Sequence, residues 1–169
     1  IAVDAARRQI YGSDRSGDLI HVIDMDSLEV LTSLPVGGDA QPTGLDISAD
    51  GSELAVALFG RGEIAFVDLD TLWRATIAEN EACWMAHNNL GSLLFDRDDL
   101  PGAELHFSRA VHHNPDHKHA RVGLGSVAFR RGDLERARTL FRGVIDVDPE
   151  FAPAWANLAL VHAVQRRLG

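Results

Sequence analysis

The chain has 169 residues and 46% hydrophobic content, enough to bury a core in one or two domains. Nowhere does it hold the roughly 18 consecutive apolar residues of a membrane-crossing helix, and Cys83 is its single cysteine, which excludes an intrachain disulfide and a thiolate metal cluster. Its net charge of −9 is divided unevenly: residues 1–70 carry 13 Asp and Glu against 4 Arg, whereas residues 71–169 carry 12 acidic and 12 basic side chains. The acidic part repels phosphate backbones, which argues against nucleic acid as the main ligand, and the change in charge predicts a domain boundary near residue 70. Ile1 already stands in a strand-like pattern, so composition alone assigns no compartment.

From the N-terminus, short runs rich in Val and Ile alternate with polar residues at the period of two that marks strands burying one face. A shift of 44 residues lays Leu19 to Leu28 on Glu63 to Leu72 without a gap, Ile1 to Asp4 on Leu45 to Ser48, and Gln9 to Gly12 on Glu53 to Val56. Turn signals separate the runs at Ser16-Gly17-Asp18, Gly37-Gly38-Asp39, Asp50-Gly51-Ser52 and Gly60-Arg61-Gly62. Such a unit of three or four short strands is the signature of a propeller blade. Ile20 to Asp24 and Ile64 to Asp68, each leading into an Asp-Ser-Leu or Asp-Thr-Leu turn, resemble the repeats of the YVTN family of bacterial β-propellers, as does Ile47 to Ala57. That resemblance spans residues 1–72 and implies an extracytoplasmic setting and a ring of about seven blades. Residues 1–70 supply about one and two-thirds blades, too few to close a ring, so exposed strand edges are expected.

Further along, apolar residues recur at spacings of three and four, and aligning Gly91 with Gly125 gives a period of 34 residues. Counted from Trp84, the first unit places Leu90, Gly91, Leu94, Ala103, Phe107, Ala110 and Pro115 at positions 7, 8, 11, 20, 24, 27 and 32. Counted from Lys118, the second places Leu124, Gly125, Ala128, Ala137, Phe141, Val144 and Pro149 there. Small residues let the two helices of a hairpin approach, the Phe residues fill the space between successive hairpins, and Pro ends one helix before the next. Asp98-Asp99 and Gly132-Asp133 make the turns. This is the tetratricopeptide pattern, and residues 84–169 are identified as a member of that family.

The predicted architecture is α+β in segregated parts: an antiparallel blade-like segment over 1–70, then an α-solenoid over 71–169. The solenoid comprises a partial helix at 71–80, repeats at 84–117 and 118–151, and a terminal helix at 152–168 with Arg166-Arg167 suiting its C-terminal dipole. Trp73, Trp84 and Trp155 fall at positions expected to pack. At Asp68 to Leu72 the strand and helix registers overlap, with no Gly, Pro or Ser-rich linker between them.

Chemistry-bearing clusters are few. His106, His112, His113, His117 and His119 are ligand types that suit zinc or nickel, but in the repeat register they occupy a helix exit and an exposed turn, so a surface role is the expectation. Asp24, Asp26, Asp68 and Asp70 form paired acidic turns, better suited to shaping those turns than to binding calcium. No G-x-S-x-G elbow or phosphate-cradling glycine loop is present, and no catalytic residue, metal or cofactor is expected.

A binding face follows from the repeats, because stacked hairpins form a groove lined by the first helix of each unit. Around positions 2, 5, 6, 9, 12 and 13 the groove is faced by Met85, Asn88, Asn89, Ser92, Phe95 and Asp96, then by His119, Val122, Gly123, Ser126, Phe129 and Arg130, and the terminal helix adds Asn157, Leu160 and Val164; Asn88, Asn89, Ser92, Phe95, Asp96, His119, Ser126, Phe129, Arg130 and Asn157 are the candidate partner contacts. Asn at position 6 resembles the asparagine ladder of some tetratricopeptide superhelices, where an amide grips the backbone of an extended peptide, and Gly123 breaks that ladder. The carboxylate clamp of other members needs Lys at position 5 and Asn at position 9, where Asn88 and Ser92 stand. The sequence thus predicts a non-catalytic scaffold that binds an extended peptide or a partner helix. A second reading, from the propeller resemblance, is a fragment of an exported β-propeller protein with an accessory or assembly role in a surface or redox system.

Overall fold

The computed structural model describes residues 1–5, 7–25 and 28–168. Two compact units divide the chain, Ile1–Asn80 and Glu81–Gly169. No helix among the described residues is long and apolar enough to cross a membrane.

Unit 1 begins with four antiparallel strands in meander order, β1 (Ala2–Asp4), β2 (Gln9–Asp14), β3 (Leu19–Asp24) and β4 (Val30–Pro35), followed by a second sheet of β5 (Pro42–Ile47), β6 (Glu53–Leu58) and β7 (Glu63–Asp68). Strand β6 is β2 displaced by 44 residues, and β7 is β3 displaced by the same amount. Alternation does what period two requires, burying Tyr11, Ile20, Val22, Leu54, Val56 and Leu58. Between Asp4 and Gln9, the Arg7 guanidinium donates to the Asp4 carboxylate at 2.9 Å and to the Asp50 carbonyl at 3.2 Å, tying the first sheet to the Ser48–Ser52 turn. That turn is drawn tight by Asp50, whose carboxylate accepts from the hydroxyls of Ser48 and Ser52 and is held down to a pKa of about 2 by those bonds.

The repeat fails at its fourth strand. Residues 44 places beyond β4 form helix α1 (Leu69–Glu79) instead, begun by the Asp68 side chain accepting from the Thr71 N–H at 2.7 Å. Asp70 ion-pairs with Arg74 on its first turns. Asp68 and Asp70 are therefore a helix start, while Asp26 and Ser27 lie outside the described residues. Without a fourth strand beside β7, Ile64 and Phe66 are 64% and 68% exposed, although their counterparts Ile20 and Val22 are fully buried. The two sheets form no closed ring among the described residues, so a complete propeller is not formed and what stands is an antiparallel sheet segment.

Unit 2 is built of α2 (Trp84–Asp96), α3 (Leu100–His113), α4 (Lys118–Arg130), α5 (Leu134–Val147) and α6 (Ala152–Leu168). The two hairpin turns are the same turn, 34 residues apart. Arg97, Asp98, Asp99 and Leu100 N–H groups donate to Leu93, Phe95, Leu94 and Asp98 carbonyls, and Arg131, Gly132, Asp133 and Leu134 repeat that set on Val127, Phe129, Ala128 and Gly132. Each turn passes through a left-handed residue, Gly132 at φ 81° in one and Asp98 at φ 62° in the other. Asp99 and Asp133 then cap α3 and α5 by accepting from the N–H groups of Gly102 and Arg136.

Steric seats hold the hairpins shut. A β-carbon on Gly91 would come within 2.9 Å of the Phe107 ring, and one on Gly125 within 2.4 Å of Phe141. Burying such a ring contributes about 1.5–3 kcal/mol, which a larger residue at the seat would forfeit. Phe141 joins Ala128, Ala137, Val144, Ile145, Ala154, Leu158 and Val161 in one core spanning α4, α5 and α6. Charges fasten the first hairpin to the second: Glu104 of α3 accepts from Arg131 and Arg136, and these bonds hold its pKa below the usual carboxylate range.

Candidate partner-binding face

Helices α2, α4 and α6 are the first helices of successive repeats, and they bring the nominated residues into one series. Positions 5, 9 and 12 are half-buried in both α2 and α4, as Asn88, Ser92 and Phe95 and as Val122, Ser126 and Phe129. Position 13 is exposed in both, as Asp96 and Arg130. Positions 7, 8 and 11 point inward, and Leu90, Gly91 and Leu94 are buried under α3. The distribution follows from helical geometry, since a 3.6-residue period cannot turn all of these positions toward one neighbour.

Within the series the contacts are specific. The Arg130 guanidinium lies 5.2 Å from the Phe95 ring centroid and also donates to Asp98, so a cation from the second hairpin covers an aromatic ring of the first. Hydroxyls of Ser92 and Ser126 donate to the carbonyls four residues earlier, Asn88 and Val122, at 3.1 and 3.0 Å. The Asn88 side-chain amide donates to the Asn89 Oδ1 at 3.4 Å, while the Asn88 side-chain Oδ1 is buried with no hydrogen-bond partner. An unmatched buried acceptor costs about 1–3 kcal/mol, so it favours any donor that reaches it.

Some nominated residues stand differently from the open groove that the register suggests. Asn89 is only 3% exposed, Phe129 packs against the α4–α6 core, and the Asn157 amide donates to the Pro153 carbonyl of its own helix at 2.9 Å. His119 sits edge-on to Phe151, with ring centroids 5.0 Å apart. Gly123, which interrupts the asparagine row, has a packing cause: a β-carbon there would fall 2.7 Å from Phe107.

The histidines divide into two groups. His106 and His113 belong with His87 of α2, a residue that the clustering in sequence passes over because it lies 19 positions before His106. His87 is fully buried; its Nδ1 is 2.9 Å from His106 Nδ1, its Nε2 is 3.0 Å from the Glu81 carbonyl, and its ring stacks 6.0 Å from His113. A carbonyl only accepts, so Nε2 carries the proton, the neutral ring's Nδ1 accepts, and His106 donates. Burial holds the His87 pKa below the ordinary histidine value. His117 instead packs on Trp84 at 4.4 Å, beside His119. Among the described residues no three His, Cys, Asp or Glu side chains converge to hold a metal ion.

One feature absent from the sequence reading is a cavity of 530 Å³ between α5 and α6, lined by Arg142, Ile145, Asp146, Trp155, Leu158, Ala159 and His162. Trp155, expected to pack, is 50% exposed, with its indole N–H donating to the Pro149 carbonyl at 2.8 Å. Trp73 is fully buried and Trp84 half-buried. In the repeat register Trp155 and Ala159 stand where α2 has His87 and Gly91, which are buried, whereas both are exposed on α6.

Residues 94–162 match the tetratricopeptide repeat family, a stretch that runs from the end of α2 into α6 and includes none of the strands. In fold the chain is similar to the second TPR domain of the human RPAP3 protein, whose NMR structure was determined in complex with the HSP70 peptide SGPTIEEVD. The TM-score is 0.52 at 18% sequence identity, over 55% of this chain and 78% of that one. No curated protein matches the chain in sequence. The helical part of the chain is tetratricopeptide-like both in sequence and in fold.

Proposed function

We propose that the helical unit is a protein-interaction scaffold that takes an extended peptide or a partner helix along the face of α2, α4 and α6. The observation that carries this reading is the pair Phe95 and Phe129, aromatic at the same repeat position and half-buried in both helices, with Ser92 and Ser126 one turn before them. A repeating apolar and polar face at a fixed spacing suits a linear ligand, whose own side chains recur at regular intervals. The peptide-bound state of the similar human domain supports the same mode. Asn88 supplies the acceptor for a peptide N–H, Asn89 and Asn157 flank it along the row, and Arg130 with Asp96 gives the face one charge of each sign. His119, Ser126 and Phe129 continue the face on α4.

For the N-terminal part, the 44-residue offset between β2–β3 and β6–β7 supports reading residues 1–70 as blade-like pieces of the propeller kind.

The test is selection of linear peptides from a random library on the immobilised full chain, followed by titration against the Asn89→Ala/Asn157→Ala and Phe95→Ala variants. Weakened binding in these variants is the expected result. Unchanged affinity in both would remove the assignment of this face.

A further inference from the structure

The two sheets of unit 1 are related by the 44-residue shift, yet they bury opposite faces. In the first sheet the covered positions are Ala2, Gln9, Tyr11, Ile20 and Val22. Their counterparts in the second are Asp46, Glu53, Ala55, Ile64 and Phe66, none of them buried; there the covered residues are Leu54, Val56 and Leu58, on the other face. The strand register lines the open residues up across three strands, Asp46 with Ala55 and Phe66, and Gly44 with Ala57 and Ile64. A hollow of 160 Å³ lies in this face, lined by Asp46, Ile47, Ser48, Glu53, Ala55 and Phe66. Helix α1 follows β7 directly and leaves Ile64 and Phe66 exposed.

Charge sets the open face apart from the covered one. Asp46 and Glu53 stand where the covered copy has Ala2 and Gln9, and Glu53 lies directly across from Asp68, where the first sheet pairs Gln9 with Asp24. Like charges opposite each other on neighbouring strands are unfavourable, and a cation beside them relieves this. Among the described residues neither Asp46 nor Glu53 forms an ion pair; Arg7, Arg61 and Arg74 are engaged by Asp4, Glu63 and Asp70. A further sheet of the same kind laid here would bury both carboxylates without a partner, at a large cost. A second copy of the same face would set acid against acid. An apolar patch with an acidic border instead selects an occupant that is apolar along its middle and cationic at its rim.

We infer that this face docks a basic amphipathic helix of a partner protein, whose apolar stripe lies on Ile64 and Phe66 and whose flanking Lys or Arg side chains reach Asp46 and Glu53. A helix satisfies its own backbone groups, whereas a single strand laid on the face of a sheet would leave its N–H and C=O groups unpaired. The small side chains of Gly44, Ala55 and Ala57 beside the two large ones give the apolar stripe room to approach the backbone. A cation entering the hollow meets the Phe66 ring as well as the carboxylates. The site lies wholly in unit 1 and does not rest on the reading of the helical face.

The probe is a fluorophore-labelled helical peptide with a leucine stripe flanked by lysines, titrated into the full chain by anisotropy, with the same peptide carrying glutamate for lysine as its reference. Saturable binding of the lysine form alone is expected, weakened at least about tenfold by Phe66→Thr and by Asp46→Asn with Glu53→Gln. These side chains are exposed, threonine suits a strand, and glutamine is what the first sheet carries at the place of Glu53, so both variants keep their fold, which circular dichroism verifies. Asp116→Asn with Glu150→Gln removes the same charge from exposed positions in unit 2 and should leave the affinity unchanged. Absence of saturable binding, or an equal loss in the unit 2 variant, overturns the proposal, the latter by reducing it to general charge attraction. Binding that depends on Phe95 and not on Phe66 also overturns it, by assigning the peptide to the helical face. So does sedimentation of the chain alone that gives a dimer abolished by Phe66→Thr, which assigns the face to a second copy.

Discussion

The ring of Phe107 occupies the space that a β-carbon on Gly123 would need, 2.7 Å away, while its other neighbour Gly91 leaves 2.9 Å. Phe107 is therefore held between its own hairpin and the next, and the missing side chain at 123 is what allows the stack. Gly123→Ala should destabilise unit 2 by about 1–3 kcal/mol through overpacking. Gly143, also helical but with open space around its α-carbon, should respond oppositely, gaining about 0.5–1 kcal/mol as alanine. Urea denaturation of the two variants checks both signs.

The His87 and His106 pair gives the fold a pH dependence whose sign can be worked out. Folding depresses the His87 pKa through burial, whereas an unfolded histidine titrates near about 6.5. Below that pH the unfolded chain binds the extra proton, so the contribution is fully present above about 6.5 and is lost as the pH falls toward the folded value. A protonated His87 would also turn an N–H on Nδ1 toward the N–H of His106. Glu81, Arg109 and His113 face the same ring, with Glu81 favouring the charged form and the other two opposing it. The denaturation midpoint should drop between pH 7.5 and 5.5, and drop less in His87→Gln.

Asp98 combines two roles that substitution can separate. Its backbone is left-handed, which glycine adopts without cost, yet its carboxylate holds the Arg130 guanidinium that covers Phe95. Asp98→Gly should leave stability within about 1 kcal/mol of the parent, because relief at φ 62° offsets a surface ion pair of small worth. The same change should free Arg130 and alter peptide affinity at that end of the face. Calorimetric titration beside thermal unfolding separates the two effects.

The face differs from a carboxylate-binding groove. Position 5 holds Asn88 and Val122, and position 9 holds Ser92 and Ser126, so no lysine stands where a peptide's terminal carboxylate would need one. The chain is expected to show no saturable binding of the free peptide SGPTIEEVD up to about millimolar concentration, a range in which binding energy is only about 4 kcal/mol. Fluorescence titration checks this.

Much of unit 2 was legible in the sequence because each repeat position has a steric job that only certain residues do. Gly91, Gly125, Ala103 and Ala137 mark close approach, and the turns at Asp98 and Gly132 fall where the register puts them. What the register could not supply was the neighbour in space. Gly123 reads as a gap in a binding row until Phe107 of the preceding hairpin is seen against it. His87 reads as an isolated imidazole until α3 brings His106 to it. Trp155 reads as core because the same repeat position in α2, His87, is fully buried, yet Trp155 is half exposed on α6. In unit 1, the 44-residue repeat located β6 and β7, but local helix signals at Asp68 to Thr71 prevailed over a fourth strand.

The most direct test of the scaffold reading is the ¹H–¹⁵N spectrum of the full chain with and without a selected linear peptide, read at the side-chain amides of Asn88, Asn89 and Asn157. Shifts at these amides and along 85–96 and 119–130 are the predicted result. Shifts confined to 142–162 or to the strands, with the three amides unmoved, would contradict it.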